Sequence, residues 1–203
     1  MIRRMLGASI AMLALAVSTT SSSALAADAY TFDKSHSRIV FTWNHVGMSN
    51  QSARFLGFDG DIVFDAEKAE NSKVSVTIDP ASVASDWKAL DDHFKGEDFF
   101  NVAKFPKATF ESTQVRRTGR NTYQIAGNLT IKGKTMPVVL DSTLNYSGDH
   151  PLAGFVKALA GANYLGWSAK TRIRRTDFDL GLYAPLTSDT IDISIETEMR
   201  QKK

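Results

Sequence analysis

Four histidines, His36, His45, His93 and His150, are the side chains best suited to acid–base or metal chemistry in this chain. None stands in H-x-H or H-E-x-x-H, so a metal site would have to be assembled wholly from distant positions, and none is assigned. His36 lies in Asp33-Lys34-Ser35-His36-Ser37, where hydrogen bonding within a polar turn is sufficient employment. His93 follows Asp91-Asp92 and precedes Phe94, which suits a polar group at the edge of an apolar pocket. His93 with Asp92 is the one acid–base pair that can be nominated. No serine sits in a G-x-S-x-G elbow. Asp91-Asp92 and Glu97-Asp98 fit no EF-hand spacing, and a solvated helix face explains them more simply. Asn128 to Thr135 imitates a phosphate-binding loop, but Gly127 falls one position too early and Met136-Pro137 stand where a helix should begin. The chain has no cysteine, which excludes disulfides and Cys-ligated zinc. No catalytic residue is assigned.

Cationic chemistry has two readings. Lys170, Arg172 and Arg174 alternate, so a strand would project all three from one face. They are then either an outer face paired with Asp192 or Glu196, or a contact for phosphate or an anionic membrane.

The elements that must carry these groups are mostly strands. Ile191, Ile193 and Ile195 alternate with Asp192, Ser194 and Glu196, a period of two with one apolar face. Val74, Val76 and Ile78 repeat it, as do Ile39, Phe41 and Trp43, and Ile125, Leu129 and Ile131 around Gly127. Phe110, Val138-Leu140 and Ile62-Phe64 mark further strands. Asp59-Gly60, Thr118 to Asn121 and Lys132-Gly133 read as turns. Many short strands at this spacing predict an antiparallel barrel or sandwich. One helix interrupts them: Ser85 can cap a run from Asp86 to about Lys95 that sets Trp87, Leu90 and Phe94 on one face. Asp149 to Gly161 is irregular and suits a second short helix near an opening. The chain holds 12 Phe, 3 Trp and 5 Tyr, enough either to fill a core or to line a hollow barrel, and composition alone favours the filled core.

Arg3 and Arg4, the apolar run Leu6 to Val17 and Ala24-Leu25-Ala26 read as a secretory signal peptide over residues 1–26. The expected mature domain is residues 27–203, in the periplasm. Residues 1–26 carry two arginines and no acid, so the remainder holds 22 basic and 22 acidic residues. A balanced surface disfavours nucleic acid as a partner. With 43% hydrophobic residues the chain is not of disordered composition.

In order and spacing these segments resemble the YceI-like family of secreted bacterial proteins. The likeness runs from Tyr30-Thr31-Phe32-Asp33 and Ser35-His36-Ser37 through His45 to Ser49, Arg54-Phe55, Phe58-Asp59-Gly60 and Phe64-Asp65. The most telling block is Leu90 to Phe100, followed by Phe105-Pro106, Phe110-Glu111-Ser112, Gly127 to Ile131 and Arg175-Thr176-Asp177-Phe178. The chain departs from the pattern at Phe94, Lys95-Gly96, Lys132, Asp179 and Ala53. The resemblance implies an all-β, lipocalin-like antiparallel barrel of about eight strands with a short helix near its mouth. It also implies an elongated cavity for an isoprenoid chain, a polyprenyl phosphate or a quinone-type lipid, with no covalent cofactor. Members are often dimeric, and some are linked to lipid transport or to quinone-linked cytochromes. The expected function is therefore a periplasmic carrier. Its candidate lining is Phe41, Trp43, Phe55, Phe64, Trp87, Leu90, His93, Phe94, Phe99, Phe110, Ile125, Leu129 and Phe178. Arg54, His93 and Arg175 are the head-group candidates, with pairing to Asp177 as the other role for Arg175. Two alternatives stay open: an interaction or assembly factor for membrane electron-transfer proteins, using the Asp149–Gly161 loop, and a lipid-acting enzyme built on His93 and Asp92.

Overall fold

The computed structural model describes residues 27–202; the expected signal peptide lies outside the described residues. The strands are β1 (Asp28–His45), β2 (Ser49–Phe55), β3 (Phe58–Phe64), β4 (Lys73–Ile78), β5 (Val83–Ala84), β6 (Ala108–Arg117), β7 (Thr122–Ile131), β8 (Lys134–Asp149), β9 (Asn163–Arg174) and β10 (Thr190–Gln201). The helix α1 (Lys88–Lys95) lies between β5 and β6. Every strand pairing is antiparallel, and β10 pairs with β1, so the sheet closes on itself. The closed circuit has eight strands: β1, β3, β4 and β6 to β10. Closure leaves no long open edge. β2 follows β3 along the same edge of β1, and β5 pairs only with β2. The β5 side of the wall is not hydrogen-bonded to β6, and α1 sits in the chain segment that spans this interval.

The period of two does what it implies. On β7, Tyr123, Ile125, Gly127 and Leu129 are buried, and on β10 so are Ile191, Thr197 and Met199. Lys132 and Gly133 both take positive φ, 50° and 75°, the geometry of a tight primed hairpin turn joining β7 to β8.

Three local expectations are corrected. Asp59-Gly60 is not a turn but part of β3, paired with Thr77 and Val76. A Cβ at Gly60 would collide with the Ser75 carbonyl, so glycine here permits close approach of β4 rather than a reversal. The helix begins at Lys88, not Asp86, because Asp86 has φ +65° and Trp87 is extended. Ser85 does not cap the helix. Its N–H and hydroxyl instead donate to Asp91 Oδ1, both at 2.6 Å. Finally, β8 runs through Asp149, and the segment after it holds only a 3-10 turn, Lys157–Leu159. Register places that segment at the end of the barrel opposite α1.

Candidate functional site

The barrel is hollow. A cavity of about 720 Å³ runs inside it, bordered by residues of β1 to β4, β6 to β10 and α1, and opens at the α1 end. This lies within the usual range for small-molecule sites.

Aromatic side chains gather at both ends of the cavity. At the closed end, Phe64, Tyr123 and Trp167 meet edge to face with ring centroids 5.1–5.9 Å apart. At the open end Phe94, the buried residue of α1, stands edge-on to Phe41 at 5.9 Å and to Trp43 at 5.5 Å. Phe99 and Phe100 follow the helix and continue this cluster, Phe99 against Phe94 and Phe100 against Phe55. Leu90 lies one turn before Phe94 and borders the same space. Further in, Phe110, Ile125 and Leu129 line the wall from β6 and β7. Gly127 is required there: a Cβ would run into the Phe110 ring, which lies across β7.

Of the lining candidates, the fold brings Phe41, Trp43, Phe55, Phe64, Trp87, Leu90, His93, Phe94, Phe99, Phe110, Ile125 and Leu129 to the cavity. Two candidates lie elsewhere. Phe178 is 1% exposed but sits in the 3-10 turn Arg175–Phe178, outside the lumen and next to β8. Arg54 has the opposite parity to Phe55 and faces outward, where Nη2 donates to Asp86 Oδ1 at 3.1 Å. Residues missed from sequence include Trp167, Phe100, Tyr183, Ile193 and Ile195. For the two isoleucines the signal was present in the alternation along β10. Phe100 and Tyr183 lie outside strands, where no period marks a face.

Polar side chains are sparse; Ser72, Ser142, Thr171 and Thr197 lie along the wall, and the others stand at the mouth. His93 packs against Phe99 at 4.9 Å and Tyr183 at 6.5 Å. His45, Gln51, Ser85 and Thr187 also border the opening. Asp92 does not partner His93; it is bound to Lys88 one helical turn back. Among the described residues no carboxylate borders the cavity. Arg175 borders it but is 5% exposed and committed to backbone. Its Nε donates to Ser188 O at 2.8 Å, Nη2 to Thr187 O at 2.8 Å, and Nη1 to both Leu182 O, at 2.8 Å, and Leu180 O. Burial lowers its pKa, opposed by the nearby Asp189 charge. It therefore fixes the 180–188 segment over the mouth, and Asp177 is not its partner.

On the outer wall, Arg172 pairs with Asp192 at 2.7 Å and Arg174 with Asp189 at 3.0 Å. Asp33, His36 and Glu198 bring possible ligand atoms within 4.8 Å of one another beside an irregularity in β1, away from the cavity.

A model of the YceI-like domain matches residues 30–199. A UPF0312 protein of Pseudomonas savastanoi pv. phaseolicola is 37% identical over 202 residues, covering 98% of this chain and all of that protein. The crystal structure of a Campylobacter jejuni YceI protein is similar with a TM-score of 0.69 and 29% identity, over 79% of this chain and 90% of that one. A polyisoprenoid binding domain from Saccharophagus degradans shares the fold, with a TM-score of 0.65 and 14% identity over 86% of this chain and 99% of that one.

Proposed function

The chain belongs to the YceI-like domain family, and on that premise we propose that it is a periplasmic carrier which holds a long isoprenoid, a polyprenyl phosphate or quinone-type lipid, inside the barrel. The observation that carries this reading is the aromatic-lined cavity of about 720 Å³, open at the α1 end. Burial of an isoprenoid tail there removes apolar area from water at about 25 cal/mol per Å² and needs no reacting group. The polyisoprenoid binding domain of the same fold supports the ligand class. Binding is favoured over catalysis because Asp92, the acid an enzyme would need beside His93, is held by Lys88. The head group meets hydrogen-bonding side chains at the mouth: His93, His45, Gln51 and Tyr183. In this reading the expected signal peptide over residues 1–26 directs the chain to the periplasm.

The test is native mass spectrometry of protein taken from a periplasm, then solvent extraction. The expected result is one long-chain isoprenoid per barrel. A folded protein that emerges empty, and takes up neither a quinone nor a polyprenol when offered them, would overturn the reading.

A second reading rests on Phe155, which is 89% exposed on the segment between β8 and β9. It makes that segment a contact for a protein partner. Deletion of residues 151–160 would then abolish partner capture and leave the lipid content unchanged.

A further inference from the structure

The apolar surface of the lumen does not stop at the mouth. Trp87 and Tyr183 border the cavity yet are 70% and 58% exposed, so they carry its lining into solvent. Beside them stand Met48, 75% exposed, Leu186, 74% exposed, and Val46, none of which borders the cavity. The fold gathers these side chains. His45 and Thr187 form an antiparallel bridge, and Asn44 and Ser188 exchange two hydrogen bonds at 3.0 Å. These ties hold the 183–188 segment against the β1–β2 turn that carries Val46 and Met48. Tyr183 in turn faces His93 of α1, and Trp87 stands at the N-terminal end of that helix. An apolar rim thus runs from α1 across the 183–187 segment to the β1–β2 turn. On α1 the charges balance, Lys88 and Lys95 against Asp91 and Asp92, and three ion pairs stand nearby: Lys88 with Asp92, Arg54 with Asp86, and Lys134 with Asp179.

We infer that this rim docks the mouth of the barrel onto a lipid bilayer, so that the ligand passes between membrane and lumen without entering water. The inference deepens the carrier reading and rests on it for the nature of the cargo. Three observations favour a bilayer over a protein surface. First, the exposed apolar surface is continuous with the cavity, and an isoprenoid must leave the lumen directly into another apolar phase to avoid hydration. Second, the rim is made of separate projections from three elements, which suits insertion into a fluid interface better than contact with a fixed complementary face. Third, Trp and Tyr are the side chains enriched where hydrocarbon meets head groups. With no excess of positive charge on α1, the attachment is one of apolar insertion, independent of anionic lipid. The far-end segment also exposes Phe155, but none of residues 150–162 borders the cavity, so insertion there would open no route for a ligand.

The test is co-flotation of the purified mature chain with phosphatidylcholine–phosphatidylethanolamine vesicles, with and without phosphatidylglycerol, at low and high salt. The wild type is expected to float with both compositions and to remain bound in salt. Met48→Ser and Leu186→Ser alter exposed residues outside the lumen, so each keeps its folding and its extractable ligand. Each should weaken vesicle partition by roughly tenfold and slow transfer of a fluorescent prenol between vesicles to match. Phe155→Ser should do neither. Wild-type protein that stays unbound with every vesicle would overturn the inference. So would binding confined to phosphatidylglycerol and lost in salt, or flotation that Phe155→Ser abolishes and the rim variants keep. A protein that floats but binds no prenol would sink the carrier reading and leave the docking intact.

Discussion

Arg175 brings a full charge to a position 5% exposed, and among the described residues it has no carboxylate within ion-pair distance. Four backbone carbonyls take the place of a counter-ion. Only a planar fork with several diverging N–H groups can reach all four. Arg175→Lys should therefore destabilise the protein by about 2–4 kcal/mol in urea unfolding and accelerate amide exchange in residues 176–189. Beyond the family motif Arg175-Thr176-Asp177-Phe178, the sequence marks this arginine only by its place after the alternating row Lys170, Arg172 and Arg174. The chain leaves the strand there, so the alternation no longer tells which way the side chain points. A second pair responds to pH. Burial pushes the Asp33 carboxyl up, but hydrogen bonds from Ser35 and His36 outweigh it and hold its pKa down at about 2, from 3.8. The hydrogen bond to Asp33 and its charge raise His36 above 6.5. A lowered acid stabilises above pH 3.8 and loses that contribution as pH falls toward 2, whereas a raised histidine stabilises below 6.5 and loses its contribution as pH rises through the folded value. Their joint contribution is fullest between these limits. An NMR titration should show the His36 pKa above 6.5 in the wild type and lower in Asp33→Asn than in the wild type.

At the scale of the element, α1 is too short to be stable alone, since eight residues barely repay helix nucleation. It is held by Phe94, edge-on to Phe41 and Trp43, and by Asp91, which accepts from Ser85. Phe94→Ala should cost about 3 kcal/mol and speed release of bound prenol in a stopped-flow displacement assay, because the element that narrows the mouth is loosened. An equal loss of stability with unchanged release would show that α1 does not gate the mouth. The existence of this helix is legible in the spacing of Trp87, Leu90 and Phe94. Its start is not, because Ser85 meets a side chain six residues away instead of the helix N-terminus, a choice made by tertiary geometry. Trp87 consequently stands outside the helix as a rim residue, not one of its packed face. Asp59-Gly60 misleads for a related reason: a glycine that serves close strand approach has the same sequence signature as one that serves a turn.

For the whole molecule the open question in the sequence is whether the inward face encloses matter or space. Period-two alternation assigns the inner face strand by strand, and it does so correctly for Phe41, Phe64, Phe110 and Leu129. It cannot report the lumen, because the diameter follows from strand number and tilt after closure. The structure does show it: Ile193 and Ile195 have core parity yet are only half-buried, since they face the cavity. Ala169 offers the sharpest test. It lies on β9 opposite Ile195 and Ser142, is buried, and borders the cavity. In a filled core, Ala169→Phe would overpack and cost about 1–3 kcal/mol. In a hollow barrel the added ring enters free space and buries apolar area, so the delipidated variant should melt at or above the wild-type temperature. The same ring takes volume from the ligand, so the prenol that raises the wild-type melting temperature should raise that of the variant less, in proportion to its weakened binding. Retained stability with lost uptake is the signature of a lumen that exists to be occupied.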